Sequence, residues 1–157
     1  MPFNKELKQT VLTPQGYEKV KNELSFLKEV RLRDILDKLS AALESERALL
    51  GNTAYEQAFN EKELVESRID ELSRLLPEAT VSLTAGNSEQ VGYGSTVSLQ
   101  IDGDVEVYTV VNSLEVESGK ISHESPLGKG LLGRSVGSEV VVEVPAGKLI
   151  YKILKII

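Results

Sequence analysis

The stretch Leu49-Leu50-Gly51-Asn52-Thr53 interrupts a long run of sequence that otherwise favours helix. Glycine and asparagine tolerate positive φ, and Asn52 or Thr53 can cap a following helix. Helical patterns extend on both sides, from about residue 17 to 48 before the interruption and from about residue 54 to 76 after it. Because two helices joined by so short a loop pack antiparallel, the sequence predicts a helical hairpin.

Apolar residues mark one side of each predicted helix. They are Tyr17, Val20, Leu24 and Leu27, then Leu32, Leu36, Leu39 and Leu43, in the first helix, and Ala58, Val65, Ile69, Leu72 and Leu76 in the second. Most of the steps are three or four residues, the spacing of a helix that packs on one partner helix. The five-residue step from Leu27 to Leu32 shifts the phase, so we expect no unbroken heptad seam.

Proline and hydroxyl residues predict where the helices begin and end. Thr13 and Pro14 form an N-cap and N1 pair for the first helix, since proline at N1 loses no intrahelical hydrogen bond. Ser125 and Pro126 predict the start of a short helix in the same way. Pro77 is expected to end the second helix of the hairpin.

From about residue 80 the apolar pattern becomes alternating, which is typical of strands. Strands are predicted at residues 96–101, 105–110, 139–144 and 149–154, with short turns around Gly103 and Gly147. We therefore predict an α+β protein. An antiparallel coiled-coil hairpin domain would occupy residues 1–78 and a small, mostly antiparallel β domain residues 79–157, with the linker inside residues 77–90.

The composition limits the chemistry that the chain can carry. Among its 157 residues there is no cysteine and only one histidine, His123. This excludes disulfide frameworks, zinc–thiolate sites, thiol nucleophiles and multi-histidine metal sites. A hydrolase centre at His123 is not indicated, because no G-x-S-x-G elbow surrounds it. Acid–base or metal chemistry falls mostly to the 24 aspartate and glutamate residues.

Charge and hydropathy indicate a cytoplasmic protein whose main partner is another protein. The net charge is −6, with 15 acidic and 12 basic residues in residues 1–78 and 9 and 6 in residues 79–157. Neither half has the basic excess of a general nucleic-acid-binding surface. No apolar run approaches the roughly 18 residues of a transmembrane helix, and the N-terminus is too polar for a signal peptide.

Acidic residues gather in the sequence around the predicted hairpin tip. Glu44, Glu46, Glu56 and Glu61 lie within a few residues of the turn. Carboxylate oxygens are ligands that Mg²⁺ prefers, so two or three of them could hold such an ion. The alternative is that they are solvated charges on exposed helix faces, and spacing alone favours this second reading.

Two motifs resemble the signatures of a known family. Thr13, Gly16, Lys19, Glu23, Leu24 and Leu27 fit T-x-x-G-x-x-K-L-x-x-E-L-x-x-L, with Val20 in place of one leucine. The stretch from Ser122 to Gly133 fits S-x-x-S-P-[LIVM]-[AG]-x-[AG]-[LIV]-[LIV]-G without a mismatch. With a hairpin followed by a β domain over about residues 10–157, the chain resembles the bacterial Gre (GreA/GreB) family of transcription elongation factors.

The resemblance implies how such a protein would work. A C-terminal domain similar in fold to FK506-binding proteins would dock at the rim of the RNA polymerase secondary channel. The contact would be with a coiled coil of the β′ subunit and would include Ser125, Pro126 and Leu127. The hairpin would enter the channel of an elongation complex that holds RNA and DNA. There, tip acids of the family help to hold a second Mg²⁺ while the polymerase hydrolyses backtracked RNA. The chain would be a monomer and not itself an enzyme, with no cofactor beyond this shared Mg²⁺.

The tip of this chain departs from the family pattern G-D-L-x-E-N-A-E-Y. Alignment on Asn52 and alignment on Tyr55 give the same register, which places Ala48 and Gly51 where the family has its Asp and Glu. Neither position carries a carboxylate, so we predict weak or absent stimulation of RNA cleavage and no catalytic or metal-binding residue in the chain. The predicted tip comprises Leu49, Leu50, Gly51, Asn52 and Tyr55, and the nearby candidate acids are Glu44, Glu46 and Glu56.

Two alternative functions stay open. The same docking without cleavage would make the chain a regulator that occupies the channel and modulates or inhibits the polymerase. A prolyl isomerase or a coiled-coil chaperone is a weaker hypothesis, because only 5% of the residues are aromatic and proline pockets of that kind are usually lined by aromatic side chains.

Overall fold

The computed structural model describes residues 10–45, 53–82 and 89–157, which form two compact units. The hairpin unit is Glu18–Glu78, and the β unit combines the described residues up to Tyr17 with those from Ala79 onward. The predicted division assigned residues 1–78 to the hairpin domain. Residues 10–17 lie instead in the β unit, because strand β1 (Val11–Leu12) pairs with strand β2 (Thr80–Val81).

The antiparallel helical hairpin is confirmed. Helix α1 (Pro14–Phe26) continues through a π-helical segment (Leu27–Arg31) into α2 (Leu32–Glu44), and α3 (Thr53–Glu78) follows. Helix α2 ends before the predicted residue 48, because Ser45 has an extended backbone with a ψ of 129°. Helix α3 runs one residue past Pro77, within the usual spread of helix termini. Within the described ranges, no helix is both long and apolar enough to cross a membrane.

The predicted N-cap of α1 is confirmed as well. The Gly16 N–H donates to Thr13 Oγ1 at 3.0 Å, and the Tyr17 N–H donates to Thr13 O at 2.9 Å. The threonine hydroxyl therefore satisfies one of the free amides of the first turn. Pro14 takes the first helical position, where its missing N–H costs no intrahelical hydrogen bond.

The π-helical segment accounts for the five-residue step in the sequence. The Leu32 N–H donates to Leu27 O, five residues back, instead of to the carbonyl four residues back as in an α-helix. The wider turn leaves both Leu27 and Leu32 half-buried. The expected interruption of the heptad seam is therefore confirmed, and its physical form is one π-helical turn.

Beyond this turn, the core of the hairpin unit consists of buried Ile35, Leu39 and Ala58. The predicted seam was wrong at Leu36 and Leu43, which are 46% and 63% exposed. Steps of three and four residues lead from Leu32 through Ile35 to Leu39, so Ile35 takes the buried place expected for Leu36. The predicted face of the second helix is confirmed, since Ala58, Val65, Ile69, Leu72 and Leu76 are all buried or half-buried.

The corrected seam can be tested with two neighbouring residues. Ile35→Ala removes a fully buried side chain and should lower the free energy of unfolding by about 2–5 kcal/mol. Leu36→Ala trims a half-exposed side chain and should cost about 1 kcal/mol or less. Urea unfolding followed by helical circular dichroism measures both values. A loss in Leu36→Ala as large as that in Ile35→Ala would contradict the assignment.

Ion pairs link the two sides of the hairpin. Arg68 Nε lies 2.8 Å from Glu23 Oε1, and Arg31 pairs with Glu61. From Glu23 to Arg31 the residue number rises, whereas it falls between their partners Arg68 and Glu61. This reversed order is what two antiparallel helices require. The hydrogen bond to Glu23 raises the pKa of Arg68, so its guanidinium stays charged. Because the side chains are partly exposed, each pair adds about 1 kcal/mol or less.

Five strands form the main sheet of the β unit. They are β3 (Thr96–Ile101), β4 (Asp104–Val111), β5 (Lys120–Ser122), β6 (Glu139–Val144) and β7 (Gly147–Ile156). Their order is β5-β4-β3-β7-β6, and all neighbours are antiparallel except β4 and β5. The predicted α+β class, with a helical hairpin and a mostly antiparallel β domain, is therefore confirmed.

The sheet has a tight turn and one apolar face. Asp102 and Gly103, with φ of 50° and 93°, connect β3 to β4 in the conformation that two-residue hairpin loops favour. Helix α4 (Pro126–Leu131) covers the apolar face with Leu131. The core residues of the strands are Val97, Leu99, Val110, Val140, Val142, Ile153 and Ile156.

Candidate functional site

The motif around Ser125 forms the start of α4, as the sequence predicted. Ser125 Oγ accepts a hydrogen bond from the Gly128 N–H at 3.0 Å and donates one to Ser122 O at 2.7 Å. Pro126 follows as the first helical residue. The serine is thus tied both to the helix that it caps and to the end of β5, which fixes the position of the helix start.

The three residues predicted for docking differ in accessibility. Pro126 is exposed, whereas Ser125 and Leu127 are half-buried and Leu127 packs against the sheet core. Of the three residues, Pro126 is therefore the most accessible at the surface. Glu124 and Lys129 are exposed on either side of Pro126. Sequence reasoning missed this pair, although both are charged residues inside or beside the motif.

The glycines of the motif are required by packing. A Cβ atom on Gly128 would overlap Ser122 O and lie 2.9 Å from His123 Cα. A Cβ atom on Gly130 would overlap Val140 Cγ1 on the neighbouring strand. These glycines let α4 approach the sheet closely, which agrees with the absence of a phosphate-binding loop pattern in the sequence.

His123 lies in the turn between β5 and α4. Its ring packs against Tyr93 with centroids 5.0 Å apart, and its Nδ1 lies 3.4 Å from Val111 O. The nearby Ser122 hydroxyl lies 2.7 Å from Ser113 Oγ. Burial, and then the charge of Glu124, raises the pKa of Tyr93. The histidine therefore helps to pack the region behind the α4 start.

The predicted hairpin tip lies largely outside the described residues. This applies to Leu49, Leu50, Gly51 and Asn52 and to the candidate acid Glu46. Glu44 is the last residue of α2 and Glu56 lies in the first turn of α3, and both are exposed. Tyr55 packs against the core of the hairpin unit, and its ring stacks on Phe59 with centroids 6.2 Å apart.

The described acids near the tip do not gather into a cluster of three or more metal ligands. Over residues 10–45, 53–82 and 89–157, no group of three or more acidic or histidine residues is placed to hold a metal ion. Glu61 pairs with Arg31 across the hairpin, which gives it a structural role. Glu56 interacts favourably with the N-terminus of α3. Among the described residues near the tip, Glu44 and Glu56 therefore belong to no such three-ligand group.

Family models match both parts of the chain. The model described as "Transcription elongation factor, N-terminal" matches residues 10–81, and the model "Transcription elongation factor, GreA/GreB, C-term" matches residues 86–157. The two models together span nearly the whole chain, including the α1 start, the hairpin and the α4 motif.

Individual relatives match over similar lengths. Transcription elongation factor GreA of Bacillus subtilis is 38% identical over 149 residues, which cover 92% of this chain and 94% of that protein. GreA of Clostridium kluyveri is 40% identical over 156 residues, covering 96% and 97%. Among solved structures, GreA factor homolog 1 (Gfh1) of Thermus thermophilus is 33% identical, with coverage of 96% and 99% and a TM-score of 0.45.

Proposed function

The chain belongs to the GreA/GreB family of transcription elongation factors, and from this premise we propose that it binds RNA polymerase at the secondary channel. It acts on stalled or backtracked elongation complexes and is not itself a catalyst. The observation that carries the proposal is that both halves of the family pattern occur in one chain, over residues 10–81 and 86–157. The protein acts as a monomer in the cytoplasm, where its polymerase works.

Docking is assigned to the start of α4. Pro126 is exposed on a helix whose first turn is fixed by the Ser125 cap, so it meets a partner with little loss of conformational entropy. The β′ coiled coil is the proposed partner, with Ser125 and Leu127 shaping the contact. Glu124 and Lys129 add one charge of each sign beside Pro126, which favours one orientation of the partner.

The hairpin enters the channel, but its tip contributes little to RNA cleavage. The two family positions for tip acids hold Ala48 and Gly51. A carboxylate about 1 Å from its productive place can cost about a hundredfold in rate, so Glu44, Glu46 and Glu56 do not replace them. Any Mg²⁺ used in the reaction is held by the polymerase.

A cleavage assay tests this part of the proposal. Backtracked elongation complexes with Mg²⁺ and this protein should release 3′ RNA fragments no faster than complexes alone, because the aligned tip residues offer no carboxylate. A Gre factor with both tip acids serves as the positive control. Brisk cleavage that disappears in Glu44→Ala or Glu46→Ala would show that a displaced acid does the work.

The same assay separates the second candidate function, a regulator that occupies the channel. The altered tip favours this reading. If the chain is a regulator of this kind, adding it should slow the cleavage that the control Gre factor stimulates, and the effect should grow with its concentration. If this chain, at saturating concentration, neither stimulates cleavage nor slows the cleavage stimulated by the control factor, the regulator hypothesis is wrong.

A further inference from the structure

A buried carboxylate holds the first turn of α1 on the β unit. Glu115 is 2% exposed and ends a 3₁₀ turn, Ser113–Glu115, that follows β4. Its Oε2 accepts a hydrogen bond from the Thr13 N–H at 3.1 Å, and its Oε1 accepts one from the Thr13 hydroxyl. Two oxygens of one side chain therefore hold the N-cap residue of α1.

Gly16 makes room for this carboxylate. A Cβ atom on Gly16 would overlap Cδ and Oε1 of Glu115, so no residue with a side chain fits there without movement. Thr13 binds the carboxylate and Gly16 leaves space for it. Both residues at the start of α1 are therefore needed for one contact with Glu115, which lies 102 positions after Thr13 in the sequence.

The 3₁₀ turn that carries Glu115 is itself fixed. Asn112, which is 8% exposed, caps it by accepting a hydrogen bond from the Leu114 N–H at 3.1 Å, and the Glu115 N–H donates to Asn112 O at 2.9 Å. Glu115 therefore extends from a turn that is held by its own hydrogen bonds, independently of α1.

A second set of hydrogen bonds joins β1 to β2, close to the point where the chain returns from the hairpin. The Thr80 N–H donates to Thr10 O and the Ser82 N–H to Leu12 O, each at 2.8 Å. The chain leaves the β unit after Tyr17 and returns at Ala79. Each of these two points lies a few residues from the β1–β2 pair. The parallel β1–β2 pair holds together the segments that enter and leave the hairpin. Glu115 adds a contact with Thr13, the N-cap residue of α1.

We propose that Glu115 is a positioning residue that fixes the helical turn from which the hairpin starts. It is dispensable for docking on the polymerase but required for the effect of the hairpin inside the channel. This second clause rests on the proposed function. The first clause concerns the isolated protein and can be tested without polymerase.

Distance measurements test the first clause. Because the chain has no cysteine, Gln15→Cys in the first turn of α1 and Ala146→Cys in the β6–β7 turn place two spin labels at exposed positions of the β unit without background. Glu115→Ala should lose the single narrow distance distribution of the parent, and Glu115→Gln, which keeps the shape and one acceptor oxygen, should lie between them. Glu139→Ala, at an exposed carboxylate on β6, is the control and should match the parent.

A distribution in Glu115→Ala as narrow as in the parent would overturn the proposal. Thermal unfolding of each variant checks that the fold persists. If Glu115→Ala does not fold, the Glu115→Gln comparison decides, since an unchanged distribution there also overturns it.

Polymerase assays test the second clause. Glu115→Ala should co-purify with polymerase as the parent does, yet lose the parent's effect on elongation complexes. A variant with full effect would refute the positioning role. A parent that does not bind polymerase would refute the proposed function instead, and the distance test would still stand.

Discussion

Replacing Pro126 by aspartate is expected to abolish co-purification with RNA polymerase while the chain stays folded. Pro126 is exposed and is the first residue of α4. The backbone N–H at this position makes no intrahelical hydrogen bond, so replacing proline there breaks none. An acidic residue is favourable in the first turn of a helix, so the Ser125 cap should persist. A charge buried at the centre of an interface should cost about 2 kcal/mol or more, roughly a thirtyfold rise in Kd.

Pro145→Asp is a matched control for this experiment. Pro145 is also an exposed proline of the β unit, and it lies in the β6–β7 turn, away from the α4 motif. Its replacement makes the same chemical change and should leave polymerase binding within error of the parent. Equal binding by both variants, with unchanged thermal unfolding, would remove the α4 start from the docking surface.

Gly16→Ala is expected to destabilise the protein by about 1–3 kcal/mol, the usual cost of forcing an extra group into a packed site. The sign is informative, because glycine to alanine inside a helix normally stabilises it by about 0.5–1 kcal/mol. Here the added Cβ would overlap the Glu115 side chain. The carboxylate must then shift and weaken its hydrogen bonds to Thr13. Urea unfolding measures the change.

A double-mutant cycle identifies the cause of that loss. In a Glu115→Ala background the obstacle is gone, so Gly16→Ala should cost far less than in the parent, a coupling expected only of residues in contact. Gln15→Ala, at the exposed neighbouring position of the same turn, should be close to neutral. A Gly16→Ala variant as stable as the parent would show that the glycine is not needed for close approach.

Features set by nearby residues were predictable from the sequence. Thr13 and Ser125 cap the helices expected, because a hydroxyl before a proline meets the amides of its own first turn. The β3–β4 turn at Asp102 and Gly103 likewise follows from residues that adopt positive φ. In each case the decisive interaction spans at most a few positions.

The buried side of α2 was not predictable, because Ile35 and Leu36 are both apolar. The five-residue step before Leu32 indicated a phase shift, but the π-helical hydrogen bond from Leu32 to Leu27 decides which of the two faces α3. Leu36 was chosen from the leucine spacing and is half-exposed. Periodicity gives the existence of a seam more reliably than its phase after a helix irregularity.

Glu115 could not be found from the sequence at all. It resembles any other glutamate in a loop, and its contact with Thr13 joins residues 102 positions apart. Its role follows only from burial and from the space that Gly16 leaves. The α4 motif shows the same limit, since its pattern does not tell that Pro126 is exposed while Leu127 packs inward. The role of the tip acids stays a prediction.

The parallel pairing of β1 with β2 has a consequence for how such proteins can vary. Adjacent parallel strands need a crossover connection between them, and here the whole hairpin is that connection. Its two ends are held side by side by the strands, whatever lies between them. The β1–β2 pairing therefore depends on residues outside the hairpin, so the length or tip chemistry of the hairpin can change without altering that pairing.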